Sequence, residues 1–309
     1  MESAGLINSS ELPKISIITP SFNQGDYIEE TIQSVLNQRY PNLEYIIIDG
    51  GSTDQTTAIL DKYGEHLAYC VSEKDSGQTN AINKGLEKVT GDIVAVLNSD
   101  DVYLPGALDF VAEQFTKNPK LRWMTAPSLY WGPDRAQARI DMMPVIKPTW
   151  LGGWLLRQCV PHPSTFVSRE VIDKHGKFDE SYYFGMDHEY WCRLAFGGED
   201  MGVFSRPLSG YRMHGDSKSV TARDRMATDN RRTFDKYMAM LSPSEQGRVR
   251  SKLRSELAYK TLLPVLDILR RGDRQAAMME WKKRVAENPS VRFTRYWATT
   301  WLRISMNWI

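Results

Sequence analysis

Four apolar runs rich in β-branched residues punctuate the first 125 positions, and a helical stretch separates each from the next. Ile15-Ser16-Ile17-Ile18-Thr19 reads as a buried strand, followed after Asn23-Gln24-Gly25 by a helix from Tyr27 to Gln38. Glu44 to Asp49 is the second strand, and Gly50-Gly51-Ser52-Thr53-Asp54 turns the chain and offers caps to a helix ending near Tyr63. Leu67 to Ser72 forms the third, with a helix from Gln78 to Lys88 behind it. Ile93-Val94-Ala95-Val96-Leu97 is the fourth, and Pro105 opens the next helix. Strands alternating with helices imply parallel pairing through right-handed crossovers. The expected fold is therefore α/β, a Rossmann-like, mainly parallel sheet flanked by helices.

From about residue 126 the pattern loosens. Trp150–Leu156, Glu170–Lys174 and Asp187–Phe196 look helical, and Thr165–Ser168 looks like a strand. Beyond Tyr211 nearly everything reads as helix. At 309 residues the chain is long enough for one large domain with an appendage. Charge separates the two: residues 1–222 hold 20 Lys+Arg against 29 Asp+Glu, whereas residues 223–309 hold 19 against 9. The expected division is a tail over 1–12, a catalytic domain over 13–222 and a basic, Trp-rich helical extension over 223–309. An acidic body without a known binding motif speaks against nucleic acid as a partner.

No window has the roughly 18 apolar residues of a membrane span, and MESAGLINSSELPK lacks the pattern of a secretory signal. Cys70, Cys159 and Cys192 are an odd set without a CxxC pair, which argues for a reducing compartment. A cytoplasmic protein is expected, peripheral at the inner face of the cell membrane if the extension binds lipid. There, Arg231-Arg232, Arg270-Arg271, Lys282-Lys283-Arg284, Arg292, Arg295 and Arg303 interleave with Phe293, Tyr296, Trp297, Trp301 and Trp308. That pattern suits a helix on an anionic membrane surface, or an appendage packing its aromatics on the catalytic domain.

Chemistry concentrates at the strand ends. Asn98-Ser99-Asp100-Asp101 follows the fourth strand and aims hard oxygen ligands at one place, as a divalent cation carrying a diphosphate needs. Asp49 ends strand two beside two glycines, where a carboxylate accepts from a base or ribose. Asp75 repeats the theme after strand three. Phe22 either stacks on a base or caps the core.

The series TPSFNQ, IIIDGGSTDQT, SEKDSGQTNAINKG and GDIVAVLNSDD resembles the inverting family-2 glycosyltransferases of GT-A fold, over roughly Pro13 to His214. The resemblance implies a nucleotide-sugar donor, a UDP-sugar first, with Pro20, Phe22, Asp49, Asp75 and Asp100 around it. It implies Mg2+ or Mn2+ held by Asp100, with Asp101 beside it as the alternative and His214 as a further ligand. Asn98 replaces the first acid of the family's Asp-x-Asp. Tyr183 to Leu194 resembles the family's Glu-Asp motif, with Asp187 as catalytic base and Met186 in place of the Glu. His162, His188 and Arg212 are expected on the acceptor side, Arg212 also near the diphosphate. The acceptor would be a glycan or lipid-linked glycan for the cell surface. The alternatives are nucleotidyl transfer to a sugar phosphate, for which Pro20–Gly25 lacks a basic residue, and a non-catalytic nucleotide-sugar-binding protein.

Overall fold

The structure is a computed structural model that describes residues 12–131, 149–156, 160–214 and 223–305. Cys159, Trp308 and most of the N-terminal tail lie outside the described residues. The described residues of Met1–Thr149 and Gln158–Tyr237 form one compact unit, and those of Trp150–Arg157 and Met238–Ile309 a second.

The first unit is built on β1 (Ile15–Ser21), β2 (Leu43–Asp49), β3 (Tyr69–Ser72) and β4 (Ile93–Val96), all parallel, in the order β3-β2-β1-β4. All seven residues of β1 are buried, so the strand is covered on both faces, as its continuous apolar run implies. The crossovers are α1 (Ile28–Leu36), α2 (Thr56–Tyr63) and α3 (Gln78–Leu86). Ile28, Thr31, Ile32 and Val35 form the buried stripe of α1, at the i, i+3, i+4, i+7 spacing of one helix face. α3 lies closer still: a Cβ on Gly85 would come within 2.5 Å of Ile18, so only glycine fits there.

Past β4 the sheet grows in ways the loosened pattern did not announce. β5 (Val102–Tyr103) leads into α4 (Ala107–Lys117), then β6 (Trp123–Thr125), β7 (Ser128–Trp131), β8 (Thr165–Ser168), α5 (Arg169–His175), α6 (Met186–Phe196), β9 (Met201–Val203) and β10 (Ser209–Arg212). β8 enters antiparallel to β4, and β6 and β9 complete a seven-stranded sheet; β5, β10 and β7 make a separate three-stranded one. Pro105 does not open α4. The helix begins at Ala107, where the Gln38 side chain accepts the Ala107 and Leu108 N–H groups at 2.9 and 3.4 Å and replaces a local cap. Trp150–Leu156 forms a 3-10 turn, Leu151–Leu155, instead of an α-helix. α7 (Arg223–Met238) closes the unit.

At the strand ends away from the acidic loops, Glu44 is buried and accepts from Lys14 Nζ at 2.7 Å, Ser16 Oγ at 2.6 Å and the Thr90 N–H at 2.7 Å. Burial alone would raise its pKa, but these bonds prevail and bring it from 4.5 down to about 2. A depressed carboxylate stabilises the fold above its unfolded pKa and stops doing so as pH falls through the folded value. Glu44→Gln should therefore cost about 1–3 kcal/mol at neutral pH. In urea titrations the gap from wild type should close as pH drops from about 4.5 to about 2.

The second unit consists of α8 (Pro243–Arg270), α9 (Arg274–Glu287) and α10 (Arg295–Ser305) with the 3-10 turn at Leu151. Ser242 caps α8 by accepting the Glu245 N–H, and Asp273 caps α9 by accepting the Ala276 N–H. Ala258, Leu262, Val265, Ala277, Val285, Val291 and Ile304 form its own core. Trp281 and Trp297 stack there with ring centroids 5.9 Å apart, so these tryptophans serve their own helices, while Trp301 is 42% exposed. Among the described residues, no helix is long and apolar enough to cross a membrane.

Candidate active site

The carboxyl ends of β1, β2 and β3 lie in register at Ser21, Asp49 and Ser72. Asp49 is fully buried. Its two oxygens take four donors: the N–H groups of Gly51 and Ser52 at 3.2 and 2.8 Å, and the hydroxyls of Ser52 and Ser72, each at 2.5 Å. Ser52, expected to cap α2, is thereby engaged with Asp49 and also accepts the Asn23 N–H at 2.7 Å. Asp54 takes the capping role, accepting the Thr56 N–H at 3.0 Å. Asp75 is half-buried, accepts the Gly77 N–H at 2.8 Å, and lies so close to Gly50 that a Cβ there would come within 2.9 Å of its carboxylate. Pro20 is buried inside β1, whereas Phe22 is 58% exposed just beyond it and does not cap the core.

At the end of β4 the two adjacent acids part. Asp101 is buried, with one oxygen accepting the Arg212 N–H at 3.1 Å and the other the Asn98 side chain at 3.3 Å. Burial, and then the neighbouring Asp100 charge, push the Asp101 carboxyl well above the usual carboxylate range. Asp101 thus faces the interior, and Asp100 is the acid that reaches the surface. Asp100 Oδ2 lies 3.0 Å from His214 Nε2, and the Tyr27 ring covers the imidazole at 4.4 Å between centroids. Arg212 lies at this end of the molecule. It donates to the Asp100 carbonyl at 3.1 Å and to Glu30 at 2.5 Å, with its guanidinium over the Tyr27 ring.

Among the described residues, no cluster of three or more His, Cys, Asp or Glu is placed to hold a metal. The Asp100–His214 pair nonetheless fits one edge of a cation's shell. Octahedral ligands on bonds of about 2.1 Å lie about 3.0 Å apart, and such ions are commonly held by one or two side chains together with substrate phosphates.

Asp187 occupies the first turn of α6, which starts after Gly185 in the left-handed conformation at φ 67°. The helix is anchored from below: Trp191 stacks on Trp123 at 5.4 Å and Tyr190 on Phe178 at 4.3 Å. Glu189, fully buried, accepts from Lys236 and from the Tyr237 hydroxyl, each at 2.8 Å, and pairs with Arg193. Asp187 keeps 32% of its side chain exposed, with His162 Nδ1 at 3.8 Å. Burial lowers the His162 pKa against the pull of Asp187, so the imidazole is neutral near pH 7. His188 points into the protein toward Cys192 Sγ at 3.9 Å, and burial lowers its pKa too.

Two sets of bonds tie the Asp100 end to the Asp187 end. Gln78 donates to Asn98 at 2.7 Å, while its neighbour Thr79 donates to the Tyr182 carbonyl at 3.3 Å. Further along α3, Asn83 exchanges bonds with the backbone N–H and C=O of Phe178 at 3.0 and 2.9 Å. In addition, the buried hydroxyls of Ser128, Ser164 and Ser209 lie within 2.6–3.0 Å of one another. They join β10, which leads to Arg212 and His214, to the turn carrying His162. Of these bridging side chains, only the polar start of α3, Gln78-Thr79-Asn80, carries a signal in sequence for bonds outside the helix.

The architecture is that of the GT-A glycosyltransferases. A mannosyltransferase from Pyrobaculum calidifontis, solved with GDP-Man and Mn2+, superposes with a TM-score of 0.61 at 17% identity, covering 97% of this chain and 89% of its own. TarS of S. aureus superposes with a TM-score of 0.59 at 17% identity, over 77% of this chain and 42% of TarS. Residues 16–174 match the family model for glycosyl transferase family 2, and the chain belongs to that family. An uncharacterised glycosyltransferase of Mycobacterium tuberculosis is 33% identical over 195 residues, 62% of this chain and 72% of the relative. The putative teichuronic acid biosynthesis glycosyltransferase TuaG of Bacillus subtilis is 44% identical over 111 residues, 33% of this chain and 43% of TuaG.

Proposed function

We propose that the chain is a metal-dependent, inverting glycosyltransferase. It would move a sugar from a nucleoside-diphosphate donor, a UDP-sugar first, to a hydroxyl of a glycan or lipid-linked acceptor in cell-surface polysaccharide assembly. The observation that carries this reading is the tie through Gln78 and Thr79, which supports Asp100 and Asp187 serving one cleft. Structural neighbours solved with UDP-GlcNAc and with GDP-Man, and relatives named for teichuronic acid and poly-N-acetylglucosamine synthesis, support the donor and acceptor classes.

In this reading Asp187 takes the proton of the acceptor hydroxyl as its oxygen bonds to the anomeric carbon from the face opposite the diphosphate. The bond from that carbon to the diphosphate oxygen breaks, the electron pair leaves with the nucleotide, and the configuration inverts. Asp100 and His214 would hold the cation, whose chemistry is Lewis-acid neutralisation of the departing charge. Asp101 holds the Arg212 backbone in place, and Arg212 sets the Asp100 loop. Phe22, exposed beyond β1, offers a face to the base, and Asp75 an acceptor to the base or ribose. With both its oxygens already bonded, Asp49 shapes that pocket from beneath.

A thermal-shift series with UDP-GlcNAc, UDP-glucose and GDP-mannose, each with Mn2+, tests the reading. A ligand at 100 times its Kd stabilises by about 2.7 kcal/mol, so at least one sugar nucleotide should raise Tm by several degrees. If none does, the donor assignment fails. The basic exterior of the second unit is proposed to meet anionic lipid. Flotation with phosphatidylglycerol vesicles should carry the protein upward at low salt and release it at high salt.

A further inference from the structure

The loop that delivers Asp187, Ser181 to Gly185, is fastened to α7 along its length. Asp229 is 8% exposed and accepts the Phe184 N–H at 2.7 Å. Arg232 lies over the ring of Tyr182, which is itself 1% exposed, at 4.3 Å, and donates to the Ser181 carbonyl at 3.3 Å. Those contacts bury polar and aromatic groups and account for the shape of the loop.

The neighbouring contact is different. Tyr183 is 47% exposed, and the Arg225 guanidinium lies 4.5 Å from its ring centroid. Arg225 is also exposed, and among the described residues no carboxylate lies within ion-pair distance of it. Folding therefore leaves an aromatic plane and an oriented guanidinium at the surface, four positions ahead of Asp187. An exposed cation–π contact of this kind gives about 0.5–1 kcal/mol. An aromatic face suits the C–H face of a pyranose. A guanidinium held on that ring presents N–H groups in the fork that matches a carboxylate or phosphate.

The geometry points to Tyr183 and Arg225 as an acceptor subsite for a sugar that carries an anionic substituent, a uronate or a phosphate. This rests on Asp187 being the base of the proposed reaction, and it adds the charge of the acceptor. The acceptor sugar lies against Tyr183 with its hydroxyl toward Asp187 and its anionic group toward Arg225.

The test is binding to the full chain by saturation-transfer NMR, so it does not depend on turnover. The probes are methyl β-glucoside, methyl β-glucuronoside, methyl β-glucoside 6-phosphate and inorganic phosphate. Either charged glycoside should bind about fivefold more tightly than the neutral one, and the tighter of the two identifies the substituent. Arg225→Ala should abolish that preference, Arg225→Lys should keep part of it, and Tyr183→Ala should weaken all three glycosides. UDP affinity should stay the same in each variant. Equal binding of the three glycosides, or a preference that survives Arg225→Ala, overturns the subsite. So does inorganic phosphate competing as well as the phosphorylated glycoside, since that describes a bare cation. Charge-selective binding in a protein whose Asp187→Asn variant still transfers sugar would keep the subsite and remove only the base.

Discussion

Asp187→Asn should reduce sugar transfer by about 10²–10⁴-fold, the usual contribution of a positioned general base, with donor affinity retained. Asparagine has the size of aspartate, and its side-chain oxygen still accepts the His188 N–H that Asp187 accepts at 2.8 Å. The first turn of α6 therefore stays formed. What is lost is the ability to take a proton from a hydroxyl whose own pKa lies far above 7. Initial rates alongside calorimetric titration of the UDP-sugar separate the two effects. Near-full turnover in the variant would mean that another group removes the proton. His162, neutral and 3.8 Å away, would then be the first candidate, and His162→Ala would identify it.

The second large effect is expected at Asp100. Asp100→Ala should lower transfer by about a hundredfold or more, because charge stabilisation by a bound cation is worth several kcal/mol. Electron paramagnetic resonance of Mn2+ in the presence of UDP gives a readout independent of turnover: the wild type should take up the ion and the variant should leave it free. EDTA should stop the wild-type reaction. Asp101→Asn is the informative contrast. Asp101 is buried under the Arg212 N–H and the Asn98 amide, so its replacement should act on stability far more than on Mn2+ uptake. Full activity in EDTA would remove the cation from the proposal.

The first hundred residues were legible because β1, β2 and β4 are buried nearly throughout. Runs such as Ile15–Thr19 and Ile93–Leu97 then have no polar alternation to confuse them, and the glycine and acidic turns between them are local signals. The short strands β5, β6, β7, β9 and β10 were not legible. Elements of two to four residues are stabilised by partners distant in sequence, and no period can be counted over so few positions. The helix that carries Asp187 was legible as Asp187–Phe196 and is found as Met186–Phe196. The different fates of Asp100 and Asp101 were not legible, since neighbours in one acidic run are distinguished only by which way the chain turns. Arg212 was expected both on the acceptor side and near the diphosphate, and it bonds the Asp100 loop, because β10 runs parallel to β7 and antiparallel to β5 in a sheet of its own. The tryptophans of the extension were weighed between lipid and the catalytic domain, and Trp281 and Trp297 instead fill the helices' own interior.

Side chains on successive residues of a helix leave its axis about 100° apart, and the opening turn of α3 uses that divergence to reach two loops at once. Recombining relatives to change specificity therefore carries a design constraint. A crossover near residue 126 would inherit Thr79, Asn80 and Asn83 from one parent and Phe178, Glu180 and Tyr182 from the other, and these grip one another directly. Chimeras that transplant the two segments together, as lock and key, should keep both ends of the cleft aligned, whereas those that split them should lose alignment before they lose the fold.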